Sequence, residues 1–75
     1  MKLPIISGKQ LVKALARLGY ELDHTTGSHM ILRLNQHPFT RITVPNHREI
    51  SKGTLRAIMR YAGLTRERLN ELLND

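Results

Sequence analysis

Thr26-Gly27-Ser28-His29-Met30-Ile31-Leu32-Arg33 reads as a tight turn that runs straight into a strand. The Gly-Ser step supplies the backbone freedom of a turn, and Met30 to Leu34 supply the apolar body of a strand. Alternation puts Met30, Leu32 and Leu34 on one face and His29, Ile31 and Arg33 on the other. Upstream, Tyr20 to Thr25 sets Tyr20 and Leu22 against Glu21 and Asp23, which predicts a half-buried strand. Downstream, Asn35-Gln36-His37-Pro38 makes a second turn. Thr40 to Val44 then forms a third strand, with Ile42 and Val44 towards the core and Arg41 and Thr43 opposite. Pro45 closes it, because proline cannot continue a ladder as donor. Three strands joined by short turns predict an antiparallel meander.

Helix-start signals flank the meander. Ser7 caps the first helix, Gln10 completes a capping box, and Ile6 and Leu11 are spaced as a hydrophobic staple. Leu11, Leu15 and Leu18 make one apolar stripe, and Gly19 ends the helix. After the polar loop Asn46-His47-Arg48-Glu49, Ser51 caps a second helix with Ile50 and Leu55 as its staple. Leu55, Ile58, Met59 and Ala62 form its stripe, and Gly63 stops it. Thr65 caps a short third helix, with Leu64 and Leu69 as staple and Leu69, Leu72 and Leu73 as stripe. The order is helix, three-stranded antiparallel sheet, helix, short helix. Two amphipathic helices on one face of a meander make a two-layer α+β domain, which is the arrangement of double-stranded-RNA-binding domains.

Composition narrows the class. With 75 residues the chain is read as a single domain, 1–75, near the lower limit for folding without staples. Phe39, Tyr20 and Tyr61 are the only aromatic residues, so the core is expected to be aliphatic. The lack of cysteine removes disulfides and thiolate chemistry and fits a cytoplasmic location. No run has the length of a membrane span, and nothing resembles a signal peptide. Twelve Lys+Arg against six Asp+Glu give a net charge of +6, which favours a polyanionic partner. Arg outnumbers Lys, and Arg grips phosphate bidentately and stacks on bases. Lys9, Lys13 and Arg17 form a basic row on the first helix, for which a solvated face is the default reading.

Three blocks give the chain a family resemblance: Ser7-Gly8-Lys9, Gly27-Ser28-His29, and Val44-Pro45-Asn46-His47 leading to Lys52-Gly53-Thr54-Leu55-Arg56 and Ala62-Gly63-Leu64. In this order and spacing they resemble the HicA (YcfA-like) toxins of toxin–antitoxin systems. The resemblance implies a double-stranded-RNA-binding-domain-like fold and an endoribonuclease that cleaves mRNA, inhibiting translation and growth. It implies a cognate HicB-type antitoxin as partner and His29 as the catalytic residue. The next position often carries histidine or an aromatic residue in that family; here it is Met30, to which nothing catalytic is assigned. The helix after Gly63 runs beyond the shared motifs.

The chemistry of the residues is compatible with this. Metal-independent RNA cleavage needs a base for the 2′-hydroxyl, donors for the charged phosphorane and an acid for the leaving oxygen. Histidine suits the first or last task because its unperturbed pKa lies near working pH. On sequence chemistry alone, His29 reads as a plain strand-end histidine that hydrogen-bonds its neighbourhood, and the resemblance reverses that reading. RNA contacts are expected from Gly27, Ser28, Lys9, Arg33, Lys52 and Arg56. Lys52 lies where free backbone N–H groups and the helix dipole favour an anion, and Arg33 shares a strand face with His29. For Lys52 and Arg56 ordinary helix charge is an equal rival. His47 is a second candidate for proton transfer, with a structural or antitoxin-facing role as its stronger rival, and His24 and His37 read as solvated. The histidines have no helical i, i+4 pair and no cysteine beside them, so no metal and no cofactor are expected. Ser7-Gly8-Lys9 lacks the upstream glycine of a P-loop. Ser28 and His29, adjacent on a strand, do not converge as a triad with Asp23. The rival class is a non-catalytic double-stranded-RNA-binding module or an inactive toxin homologue.

Overall fold

The computed structural model describes residues 3–74. Its elements are α1 (Gly8–Ala16), β1 (Tyr20–Thr26), β2 (His29–Leu34), β3 (Arg41–Pro45), α2 (Lys52–Ala62) and α3 (Arg66–Leu73). The strands form one antiparallel sheet in the order β1-β2-β3. This is the expected α+β, double-stranded-RNA-binding-domain-like arrangement with an added third helix.

Each helix starts as its cap dictates. The Ser7 hydroxyl accepts from the Gln10 N–H at 3.1 Å, and the Gln10 side-chain oxygen accepts from the Ser7 N–H at 2.8 Å, a complete capping box. Ser51 and Thr65 accept in the same way from the N–H groups of Thr54 and Arg68. Gly63 ends α2 in the left-handed region, φ +71°. Helix dipoles and free N–H groups are thereby left at defined places.

One face of the sheet is covered. Met30, Leu32, Ile42 and Val44 are buried, whereas His29, Arg33, Arg41 and Thr43 between them are exposed. Leu11, Ala14 and Leu15 of α1 and Leu55, Ile58 and Met59 of α2 join those residues in one aliphatic cluster. The third helix, whose role the shared motifs leave open, packs on α1 and adds Leu69 and Leu72 to the same core.

Four details depart from the sequence reading. The first helix, read through Leu18 with Gly19 as its stop, ends at Ala16 with Arg17 as its C-terminal cap. In β1 only Tyr20 is buried; Leu22, expected on the core side, is 54% exposed. The ladder shifts between Leu22 and His24, and such a bulge adds a residue that breaks strict alternation. The turn is shorter than expected: Thr26 pairs with His29, which leaves Gly27-Ser28 alone at the tip, with Gly27 at φ +56°. The third strand begins at Arg41 and includes Pro45, whose partner is His29. A terminal position on an edge strand tolerates proline.

Candidate functional site

Close approach at one end of the fold brings the first two sequence blocks and the beginning of the third together. Gly8, the first residue of α1, donates its N–H to the carbonyl of His47 at 2.9 Å. Asn46 donates to the carbonyl of Ser28 at 2.6 Å, and Ile50 to that of Ile6 at 2.9 Å. The starts of α1, β2 and α2 and the end of β3 are therefore tied to one another by backbone hydrogen bonds. A Cβ on Gly8 would collide with the backbone of Pro45 and approach Asn46 Cα at 3.1 Å. Glycine is what lets these segments touch.

A cleft of about 440 Å³ opens at this junction, lined by His29, Thr43, Pro45, His47, Glu49, Ser51 and Thr54. That volume is within the range of small-ligand sites. His29 enters from the start of β2, and its neighbours Thr43 and Pro45 come from the adjacent strand. His47 and Glu49 come from the loop beyond β3, and Ser51 and Thr54 from the first turn of α2. The Ser51 hydroxyl donates to Thr54 Oγ1 at 3.0 Å, which holds this rim in place. Both histidines are exposed, and among the described residues neither ring has a hydrogen-bond partner. Although His29, His47 and Glu49 share the cleft, no three His, Cys, Asp or Glu side chains among the described residues are grouped to hold a metal ion.

The other residues singled out by sequence fall into two sets. Gly27 and Ser28 form the hairpin tip beside His29, and Lys9 and Lys52 are exposed in the first turns of α1 and α2. Along the chain Gly27-Ser28 lead into His29, Lys52 follows Ser51, and Lys9 follows Gly8, which is bonded to the His47 carbonyl. Arg33 and Arg56 line other hollows. Arg33 is four residues along β2, roughly 13 Å of strand rise from His29. Its guanidinium lies 4.9 Å from the centre of the Phe39 ring, and it lines a separate hollow with Glu21, Asp23 and Asn35. Arg56 borders a hollow between α2 and α3 with Leu3, Met59 and Arg60.

The remaining histidines are engaged elsewhere. His24 is hydrogen-bonded to Asp23 at 2.8 Å and holds that carboxyl below its ordinary range. His37 packs edge-on against Phe39, ring centres 5.9 Å apart. Thr43, Glu49, Ser51 and Thr54 were not among the expected site residues. Their place in the cleft depends on which edge of the sheet α2 follows, which no local motif reveals. His47 carried a signal, its place in the third block, but its loop context favoured a structural role.

Among the described residues no helix is long and apolar enough to cross a membrane. Comparison with known proteins gives no match among curated proteins or solved structures. Residues 8–64 match the family described as HicA toxin of bacterial toxin–antitoxin. The matched span runs from the glycine that opens α1 to the residue after the α2 stop, and includes every residue lining the cleft. The chain belongs to the HicA toxin family of bacterial toxin–antitoxin systems.

Proposed function

We propose that this toxin is a metal-independent endoribonuclease that cleaves mRNA in the cytoplasm, thereby inhibiting translation and growth, with His29 as general acid or base. The whole chain, 1–75, is taken as one HicA-like domain, a reading supported by the single buried cluster. Membership of the family implies a cognate antitoxin, of the HicB type, as partner.

The observation that carries the reading is the exposed imidazole of His29, without a hydrogen-bond partner among the described residues, at a cleft built from the family-matched segments. Histidine accepts and returns a proton near neutral pH without help from a metal. Attack on phosphorus by the substrate's own 2′-hydroxyl needs no activated water, only removal of that proton and protonation of the leaving 5′-oxygen. Gly27 and Ser28 adjoin His29, and the first turns of α1 and α2 carry Lys9 and Lys52. Backbone N–H groups and lysines in such places favour an approaching phosphate. Arg33 and Arg56, farther away, would act only on flanking parts of a longer RNA.

The test is to follow cleavage of a defined single-stranded RNA, and of total mRNA in growing cells, by the parent chain and by His29→Ala. General acid–base assistance is worth roughly 10²- to 10⁴-fold, so the variant is expected to lose at least 100-fold in rate while keeping the parent's circular dichroism and melting temperature. A folded His29→Ala chain that cleaves as fast as the parent would falsify the assignment. A folded parent that binds RNA without cutting it would favour the non-catalytic binding module.

A further inference from the structure

His29 can take one proton or give one, whereas 2′-hydroxyl transesterification needs both transfers in a single step. We propose that His47 is the second proton-transfer group, forming with His29 an acid–base pair across the cleft. This inference rests on the ribonuclease reading above and adds the residue that completes its chemistry.

Topology makes the pairing specific. His29 and Pro45 are directly opposed across β2 and β3, which brings their Cα atoms to about 5 Å. His47 follows Pro45 by two residues, and its backbone is fixed on both sides. Asn46 is bonded to Ser28, the residue before His29, and the His47 carbonyl accepts from Gly8. Two anchors thus fix the backbone of two histidines that line one cleft. Of the chain's four histidines, His29 and His47 line one cleft, whereas His24 and His37 are engaged with Asp23 and Phe39. Lining the cleft with His47 are His29 from β2, Glu49 from its own loop, and Ser51 and Thr54 from the start of α2; Lys52 follows Ser51 in the chain, Lys9 follows Gly8, whose N–H reaches the His47 carbonyl, and Arg48 is the chain neighbour of His47. Glu49 is therefore the one rival titratable group lining the cleft, and it enters the test.

The step balances without a co-reactant. One neutral imidazole removes the 2′-hydroxyl proton as the 2′-oxygen bonds to phosphorus. The bond from phosphorus to the 5′-oxygen breaks, and the other histidine, protonated, gives its proton to that oxygen. The products are a 2′,3′-cyclic phosphate and a 5′-hydroxyl end. The pair is left with its protonation reversed, to be reset by exchange with water.

A 5′-thio substrate separates the two roles. Sulfur leaves as thiolate without needing a proton, so a variant that lacks the acid regains rate on this substrate, whereas one that lacks the base does not. Parent, His29→Ala, His47→Gln and Glu49→Gln are compared on an RNA dinucleotide linkage and its 5′-thio analogue, with pH–rate profiles and thermal melts. On the oxygen substrate His47→Gln is expected to lose 10²- to 10⁴-fold and one limb of a bell-shaped profile. On the thio substrate one of the two histidine variants, and not both, is expected to recover most of its rate. His47→Gln, folded, with the parent's rate overturns the pair; so does recovery of both histidine variants, or of neither. Loss in Glu49→Gln but not in His47→Gln gives the second role to the carboxylate and also overturns it. A folded parent inert on both substrates overturns the ribonuclease reading itself, and the pair with it.

Discussion

At Gly8, buried at the start of α1, a single methyl group would be felt more than at Gly53 in the first turn of α2. The residue opens α1 while its Cα faces the backbone of Pro45 and Asn46 and the Met30 side chain. Backbone cannot give way as a side-chain end can, so Gly8→Ala must push α1 away from the end of β3. Overpacking of this kind costs about 1–3 kcal/mol. For a chain of this size each kcal/mol lowers Tm by roughly 4–8 °C, so a fall on the order of 5–20 °C is expected by calorimetry. Gly53, in the first turn of α2, is the control: a Cβ there meets nothing within 4 Å, and Gly53→Ala is expected to leave Tm unchanged or raise it, since glycine is the weaker helix former. Equal melting of the two variants would show that the contact at Gly8 is not a tight one. At this scale the sequence already spoke where chemistry is local. Gly27-Ser28-His29 was legible because a turn and the residue after it need no distant information. The collision at Gly8 was not, because nothing in Ser7-Gly8-Lys9 says that Pro45 lies against it.

Helices were the most legible elements, since a cap, a staple and a stop are all written within a dozen residues. The Ser7, Ser51 and Thr65 starts and the Gly63 stop appear where their side chains and φ values require. The first strand was less legible: its alternation held for Tyr20 and failed at Leu22, because a bulge is a property of the pairing and leaves no mark on one strand's sequence. Nor did the sequence say that α3 is integral. It lies outside the family match, yet Leu69 is fully buried against the common core. Truncating a fully buried leucine costs about 2–5 kcal/mol through lost transfer energy and the cavity left behind, a large share of a total stability of roughly 5–15 kcal/mol. Leu69→Ala is therefore expected to lower Tm by at least about 10 °C, read by thermal denaturation of the full chain. A loss within experimental error would mean that α3 is a loosely docked appendage.

Charge acts on the molecule as a whole. The net charge of +6 raises the local concentration of any polyanion and makes its binding depend on salt. Where on the surface that charge is used was only half legible. A shared strand face suggested that Arg33 and His29 meet one phosphate, but a face runs the length of a strand, and the two residues occupy opposite ends of β2. Likewise Arg56 follows Lys52 by one helical turn, about 6 Å along the axis, and borders a different hollow. The structure thus separates two kinds of basic residue, and they should behave differently in one measurement. Single-stranded RNA binding to the His29→Ala chain is expected to weaken with salt, log K falling against log [salt] with a slope near −0.7 for each phosphate neutralised. Lys9 and Lys52, exposed in the first turns of α1 and α2, are each expected to reduce that slope by roughly 0.7–1 when changed to alanine. Arg56→Ala is expected to leave the slope for a short oligonucleotide unchanged, and to affect only RNA long enough to extend past α2. An Arg56→Ala variant that alters the slope for a short RNA as much as Lys52→Ala does would mean that the phosphates run along α2 rather than across the cleft.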